Sequence, residues 1–271
     1  MRTVERSRAE TAGRARQGGL SAAVRQSRAV AWRSVLRLRS SPEEIAGFTL
    51  QPVIFVVLFV FVLGQAVDGD WRTYRDFALP GIAVQSVVFT TLGTGLTLST
   101  DLQKGIFDRF RTLPISRSAP LLGTVLGDLV RYALSLAVMM VVGLLIGFRP
   151  GGGAIGVLSA GAVALVFSFS LCWVWVLVGL RARTPMGVQT LGTVLMFPLA
   201  FGSSTLVATD RMPDWIRVWA EINPVTWVTD AVRALLAGEP AGRPVAVVAA
   251  WCAGMVVVLL PLALRTYRRR V

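Results

Sequence analysis

Apolar runs of about 20 residues recur along the chain, and each is long enough for a helix to cross the roughly 30 Å hydrocarbon core of a bilayer. Hydrophobic residues make up 54% of the 271 positions, which is more than a soluble domain usually carries. The short alternating segments of a transmembrane barrel do not appear. The sequence therefore predicts an all-α polytopic membrane protein with six transmembrane helices. Their approximate limits are Ile45–Val67, Phe77–Thr100, Ala119–Gly147, Ala154–Leu180, Met186–Val207 and Pro244–Leu264.

The basic residues indicate the orientation of these spans. With both termini cytoplasmic, 20 of the 28 Lys and Arg residues fall in cytoplasmic segments, 7 fall outside and Arg131 lies within the third span. Such an excess is typical of cytoplasmic loops. We therefore expect a multi-pass protein of the cell membrane whose termini are both cytoplasmic. The net charge of +13 therefore does not indicate a nucleic-acid partner, because the basic residues flank apolar segments.

The region before the first span has two parts. Residues 1–19 are rich in Arg, Gly and Ala and are predicted to be disordered. Residues 20–40 carry apolar side chains near helical spacing with five Arg on other faces, which is typical of a helix lying in the membrane interface. A solvated helix is the alternative. Residues 20–271 are expected to form one transmembrane domain.

The predicted cytoplasmic connection between spans two and three contains the stretch KGIFDRFRTLP. Three apolar residues fall at helical spacing, charged residues occupy the other faces, and a proline ends the pattern. Topology alone explains the charges but not the two Phe or the ordered stripe. We predict a short helix that forms a docking surface for another protein. Its residues are Lys104, Ile106, Phe107, Asp108, Arg109, Phe110, Arg111, Leu113 and Pro114.

The last outside segment, Asp210 to Pro240, is too polar for a clean span and too long for a tight turn. Two amphipathic patterns meet at Asn223 and Pro224, which are favoured at the N-cap and first position of a helix. Gly238 fits a C-terminal cap. The segment predicts two re-entrant helices that act as an outer gate; an ordinary surface hairpin is the alternative. The residues that carry this prediction are Trp215, Trp219, Asn223, Pro224, Trp227, Asp230 and Arg233.

Spans two and five are unusually rich in hydroxyl and amide side chains. Such groups can bond carbonyls within their own helix, and the neighbouring glycines permit close packing. The alternative is that one face of each helix lines a substrate path, suited to an amphipathic organic molecule more than to an ion. The residues of this candidate path are Gln85, Thr90, Thr94, Gln189 and Thr193.

Span three contains two charged residues, Asp128 and Arg131, three positions apart and so on one helical face. A charge at mid-membrane costs about 2.5–3.5 kcal/mol on insertion scales. We expect the two to form an ion pair near the cytoplasmic interface. A proton relay is the weaker alternative, since no other acidic residue lies deep within a span.

Catalytic and cofactor motifs are missing from the sequence. There is no G-x-x-x-x-G-K-[ST] loop, no His, and a single Lys, Lys104. Cys172 and Cys252 both fall inside apolar runs, where cysteine is a small buried hydrophobe. We therefore expect a protein that is not itself an enzyme and binds no cofactor or metal. Energy for any transport would come from a partner protein or an ion gradient.

Two motifs carry a family resemblance: KGIFDRFRTLPISRSAPLLG and MPDWIRVWAEINPVTWVTDAVRALLAG. They resemble the ABC-2 type permeases, in particular the daunorubicin-resistance efflux branch, and the similarity covers nearly the whole chain. It implies an N-terminal interfacial helix, six spans and a cytoplasmic coupling helix from Lys104 to Leu113. It also implies outer re-entrant helices that extend from Met212 and Pro213 to Gly238. It also implies a second permease subunit, an identical one giving a homodimer, and two ATP-binding subunits that hold ATP and Mg²⁺.

These features lead to one hypothesis with two alternatives. The first is the permease subunit of an ATP-binding-cassette exporter that moves hydrophobic or amphipathic small molecules, such as drugs or antibiotics, out of the cell. The second keeps the partner but exports a lipid-linked glycan or polymer. The third is a gradient-driven carrier with no ATPase partner, which the scarcity of membrane-embedded carboxylates disfavours.

Overall fold

The computed structural model describes residues 50–65, 69–105 and 119–270, and within these ranges all regular structure is helical. The first helix, α1, covers residues 50–65 and includes π-helical turns over Val56–Leu63. The remaining helices are α2 (Trp71–Gln103), α3 (Ala119–Leu145), α4 (Gly153–Arg181), α5 (Pro185–Phe201), α6 (Asp214–Ile222), α7 (Pro224–Ala237) and α8 (Gly242–Arg270), with a 3-10 turn at Thr209–Arg211. The predicted all-α class is confirmed.

Four of these helices, α2, α3, α4 and α8, are long and apolar enough to cross a membrane. The helices α1 and α5 are apolar but shorter; the 17 residues of α5 extend over about 26 Å at 1.5 Å per residue. The structure therefore supports a multi-pass protein with four clear spans, and the count of six stays a prediction.

The fifth helix ends earlier than the sequence predicts. The apolar pattern extends to Val207, but α5 ends at Phe201. The side chains of Ser203 and Thr205 both donate to the carbonyl of Ala200, at 2.6 and 3.0 Å. Because these hydroxyls replace the amides of a further helical turn, the chain leaves the helix.

The second helix begins six residues before the predicted span, at Trp71 in place of Phe77. Asp70 is the N-cap, and its side chain accepts from the amide of Arg72 at 3.1 Å. This hydrogen bond lowers the pKa of the exposed Asp70 carboxyl. A local capping signal, not hydropathy, therefore sets this boundary.

The core is built around the crossing of α2 and α4. A Cβ on Gly95 would lie 2.6 Å from the carbonyl of Trp175, and one on Gly179 would lie 2.6 Å from the carbonyl of Gly95. The indole of Trp175 donates to the hydroxyl of Thr91 at 3.0 Å. Small residues bring the two backbones together, as is common between helices in membranes. The helix α8, in contrast, is mostly exposed.

Several sequence-based predictions lie outside the described residues. These are the disordered segment 1–19, the interfacial helix 20–40, and the docking residues from 106 to 114. Of the predicted docking residues, the structure describes Lys104 alone.

Candidate functional site

The elbow between α6 and α7 is organised by Asn223. Its side-chain oxygen accepts from the amide of Val225 at 2.9 Å, which caps α7 as predicted. Its side-chain amide donates to the carbonyls of Leu199 and Gly202, at 2.8 and 2.9 Å. One buried side chain thus starts α7 and ties the elbow to the end of α5. The predicted C-terminal cap is also confirmed, because Gly238 has a φ of +82°.

Arg233 connects this elbow to α2. Its guanidinium donates to the carbonyls of Phe77, Ser204 and Thr205, at 2.9, 2.6 and 3.1 Å. It also lies 3.8 Å from the centre of the Phe77 ring, close enough for a cation–π contact. It also forms an ion pair with Asp230, three positions earlier in α7, at 3.2 Å. We call these five residues the outer clamp.

Burial lowers the pKa of Arg233 to about 10, and the neighbouring Asp230 opposes this shift. The guanidinium therefore stays positively charged at neutral pH. Its carbonyl partners lie 28 to 156 positions away along the chain. The sequence contains no signal that would have identified them.

The remaining gate residues surround the elbow. The indole of Trp219 donates to the carbonyl of Pro198 at 3.2 Å, and that of Trp227 donates to the carbonyl of Glu221 at 2.8 Å. Trp215 is exposed, as expected for an indole at headgroup level. Met212 is nearly buried just before the N-cap of α6, Pro213. The predicted residues are thus brought together, while their role as a gate stays a prediction.

A groove of about 330 Å³ runs between α1, α2 and α5. Its polar lining consists of Gln51, Gln189 and Thr193, of which the last two were predicted to line a substrate path. Gln51 was not predicted, because it is a single polar residue within an apolar run. The apolar lining consists of Phe89, Leu92, Gly93, Leu96, Met196 and Phe197.

The other predicted path residues do not line this groove. The hydroxyl of Thr90 donates to the carbonyl of Ser86 at 2.7 Å, which agrees with the first interpretation of these hydroxyls and not with the substrate path. Thr94 is buried and shares a 2.6 Å hydrogen bond with the hydroxyl of Tyr132. Gln85 is fully buried, and its amide has no hydrogen-bond partner among the described residues. The structure thus divides the five residues between a groove and the helix-packing interior.

The predicted ion pair in α3 is present. A nitrogen of the Arg131 guanidinium lies 3.2 Å from a carboxylate oxygen of Asp128, and both side chains are largely buried. The guanidinium reaches α2 at Gly93, where an added Cβ would lie 3.0 Å from it. The glycine therefore provides the space that the buried cation needs.

The C-terminal end of α2 lies at the edge of the described residues, which stop at Gly105. The side-chain amide of Gln103 donates to the carbonyl of Arg183 at 3.2 Å, which joins α2 to the connection between α4 and α5. Lys104 caps the helix, and Gly105 follows with a φ of +63°. The chain leaves α2 here, immediately before the predicted docking residues.

Apolar helices long enough to span a bilayer, joined by a helical elbow at one end, are the features of a multi-pass membrane protein. The sequence model of the ABC-2 type transporter family matches residues 25–237. The chain belongs to this family, and the predicted resemblance is confirmed.

Several named permeases are similar to the chain. The daunorubicin resistance ABC transporter permease protein DrrB1 of Streptomyces coeruleorubidus is 38% identical, over 93% of this chain and 92% of its own length. The probable doxorubicin resistance ABC transporter permease protein DrrC of Mycobacterium tuberculosis is 27% identical, over 83% of this chain and 82% of its own length. The putative transport permease ycf38 of Cyanophora paradoxa is 25% identical, over 75% of this chain and 71% of its own length.

Proposed function

We propose that this chain is the permease subunit of an ATP-driven exporter that moves hydrophobic or amphipathic small molecules, such as drugs or antibiotics, out of the cell. The observation that carries the cargo class is the lining of the groove between α1, α2 and α5. The names of the daunorubicin and doxorubicin resistance relatives support the same class.

The groove has the chemistry of a site for amphipathic organic molecules. Two aromatic rings, Phe89 and Phe197, lie with their centres 6.4 Å apart at a steep angle, so a flat apolar molecule can pack against either ring. Amide and hydroxyl groups of Gln51, Gln189 and Thr193 can orient its polar substituents. The lining contains no charged side chain, which disfavours an inorganic ion as cargo.

The energy source is a separate ATP-binding chain, which holds ATP and Mg²⁺ and docks on residues 104–114. The apolar stripe of Ile106, Phe110 and Leu113, with Phe107 beside it, would be buried in that interface. Closure of the partner on ATP would then move the start of α3 and the end of α2. In the complete transporter, two copies of this chain span the membrane six times each, with cytoplasmic termini and residues 20–40 in the inner interface.

Substitutions in the docking stretch test this proposal. The variants Phe107→Ala and Arg109→Ala, co-expressed with the ATP-binding partner, should lose nearly all ATP-dependent uptake of doxorubicin into inverted vesicles. Burial of a Phe ring contributes roughly 1.5–3 kcal/mol to an interface, which is enough to weaken partner binding at least tenfold. Pull-down of the partner measures that loss directly.

The matched control is Arg117→Ala, which removes a basic residue from the same connection but after Pro114. It should keep both partner binding and uptake. Normal efflux by Phe107→Ala and Arg109→Ala would contradict the docking surface. Uptake by the purified chain alone in liposomes would instead favour the gradient-driven carrier.

A further inference from the structure

A second cavity, of about 370 Å³, lies between α2, α3, α4 and α7. All of its lining residues are apolar, and none of them lines the groove between α1, α2 and α5. Its floor includes Ala160, Val232 and Leu236, which are buried. Its rim includes Val141, which is 55% exposed, and the half-buried Gly161. The cavity therefore opens sideways between α3 and α4; we call it the α3–α4 fissure.

The fissure opens onto lipid, because its rim residues lie within the two spans Leu121–Leu145 and Gly153–Arg181. It exists because small side chains face each other there: a Cβ added to Gly161 would meet no atom within 4 Å. An empty apolar void forfeits the dispersion contacts of its lining. The fissure also falls in the size range of small-molecule sites, roughly 300–1,000 Å³. With no polar side chain in the lining, hydrocarbon is the matching occupant.

A cation marks the outer end of the fissure. Arg149 follows α3, and its guanidinium donates to the carbonyls of Leu144 and Phe148, at 3.0 and 3.1 Å. Leu144 lies three residues beyond the rim residue Val141, or about 5 Å along the helix. Within the described ranges no ion pair engages Arg149. An exposed cation one turn outside an apolar slot matches a phosphate above its acyl chain.

We propose that the α3–α4 fissure binds one acyl chain of an outer-leaflet phospholipid, whose phosphate is held by Arg149. The lipid completes the packing of α3 and α4 against α7. This site is separate from the groove for cargo, and it does not depend on the identity of the cargo.

Photolabelling tests the proposal on the full-length chain in nanodiscs that contain phosphatidylglycerol with a diazirine in mid-acyl chain. After irradiation, peptide mapping should find adducts concentrated on the fissure residues Met139 and Met140. The reference is Val257 of α8, which is 72% exposed and outside the fissure. We expect an enrichment of at least about tenfold, equivalent to 1.4 kcal/mol. Labelling that simply follows exposure would overturn the proposal.

Two variants make the test specific. Gly161→Leu fills the fissure and should lower the adducts on Met139 and Met140 about tenfold, whereas Gly254→Leu should leave them unchanged. Gly254 is the matched control, since it lies in the span of α8 and an added Cβ there also meets nothing within 4 Å. Equal labelling in the two variants would contradict an acyl-chain site.

A third variant, Arg149→Gln, tests the phosphate and serves as the deciding one if Gly161→Leu does not insert. It should lower labelling by the anionic probe severalfold; unchanged labelling would remove the assigned role of Arg149. Displacement of the label by doxorubicin would make the fissure a cargo site and overturn the lipid assignment. If the unaltered chain with its ATP-binding partner exported no drug while the label map was as expected, that result would count against the proposed function alone.

Discussion

At the scale of single residues, Arg233 connects the elbow between α6 and α7 to α2. It bonds three backbone carbonyls of α2 and the α5–α6 connection, whereas its carboxylate partner Asp230 is 41% exposed. Exposed ion pairs contribute at most about 1 kcal/mol, but hydrogen bonds from a charged group contribute about 1.5–3 kcal/mol. The carbonyl bonds should therefore dominate over the ion pair.

This comparison predicts unequal effects of two substitutions. Arg233→Gln should lower the free energy of unfolding by about 2–3 kcal/mol, because the buried carbonyls lose a charged donor. Asp230→Asn should lower it by less than about 1 kcal/mol. Thermal unfolding of the purified chain in nanodiscs measures both. Equal destabilisation by the two variants would show that the ion pair, and not the carbonyl bonds, holds the outer clamp.

The sequence could predict the local part of this clamp but not the rest. Asp230 and Arg233 are three positions apart, so any helix brings them together. The contact of Arg233 with Phe77 depends instead on how α7 packs against α2, two helices far apart in the chain. Gln51 was missed for a similar reason, because only the packing of α1 against α2 and α5 places it in the groove.

For helices, capping signals were more informative than hydropathy. Asn223 followed by Pro224 at the start, and Gly238 directly after Ala237 at the end, set the limits of α7 as expected. The apolar run Met186–Val207 overestimated α5, because hydropathy does not register that Ser203 and Thr205 bond back to Ala200. The predicted count of six spans depends on hydropathy in the same way at the two short helices, α1 and α5.

The crossing of α2 and α4 gives a prediction for Gly95→Ala. The added methyl would lie 2.6 Å from the carbonyl of Trp175, so the helices must separate. Overpacking of this kind costs about 1–3 kcal/mol, and the separation should also strain the hydrogen bond between Trp175 and Thr91. We expect a lower unfolding temperature and reduced transport in the same nanodisc preparation.

The control for this variant is Gly254→Ala, where the new methyl meets no atom within 4 Å. Helix propensity favours Ala over Gly by about 1 kcal/mol, so this control should be neutral or slightly stabilising. A stable Gly95→Ala variant with normal transport would mean that α2 and α4 approach less closely than described.

In the molecule as a whole, α2 connects every site. Its 33 residues extend over about 50 Å. They reach from the outer clamp at Phe77, past the groove at Phe89 and the ion pair at Gly93, to Lys104 beside the predicted docking stretch. A displacement at its C-terminal end would therefore act on the groove and the elbow through one continuous helix. This arrangement supports the proposed coupling of a cytoplasmic partner to export.

The division of polar residues around α2 provides the decisive test of the cargo path. Gln189→Leu alters an exposed groove residue, so it should raise the KM for doxorubicin severalfold while the unfolding temperature stays constant. Thr94→Val removes a buried bond to Tyr132, which should cost about 1–3 kcal/mol of stability with little effect on KM. Uptake kinetics and thermal unfolding of both variants separate the two roles. A raised KM in Thr94→Val with an unaffected Gln189→Leu would place the path in the interior between α2 and α3, where the groove does not reach.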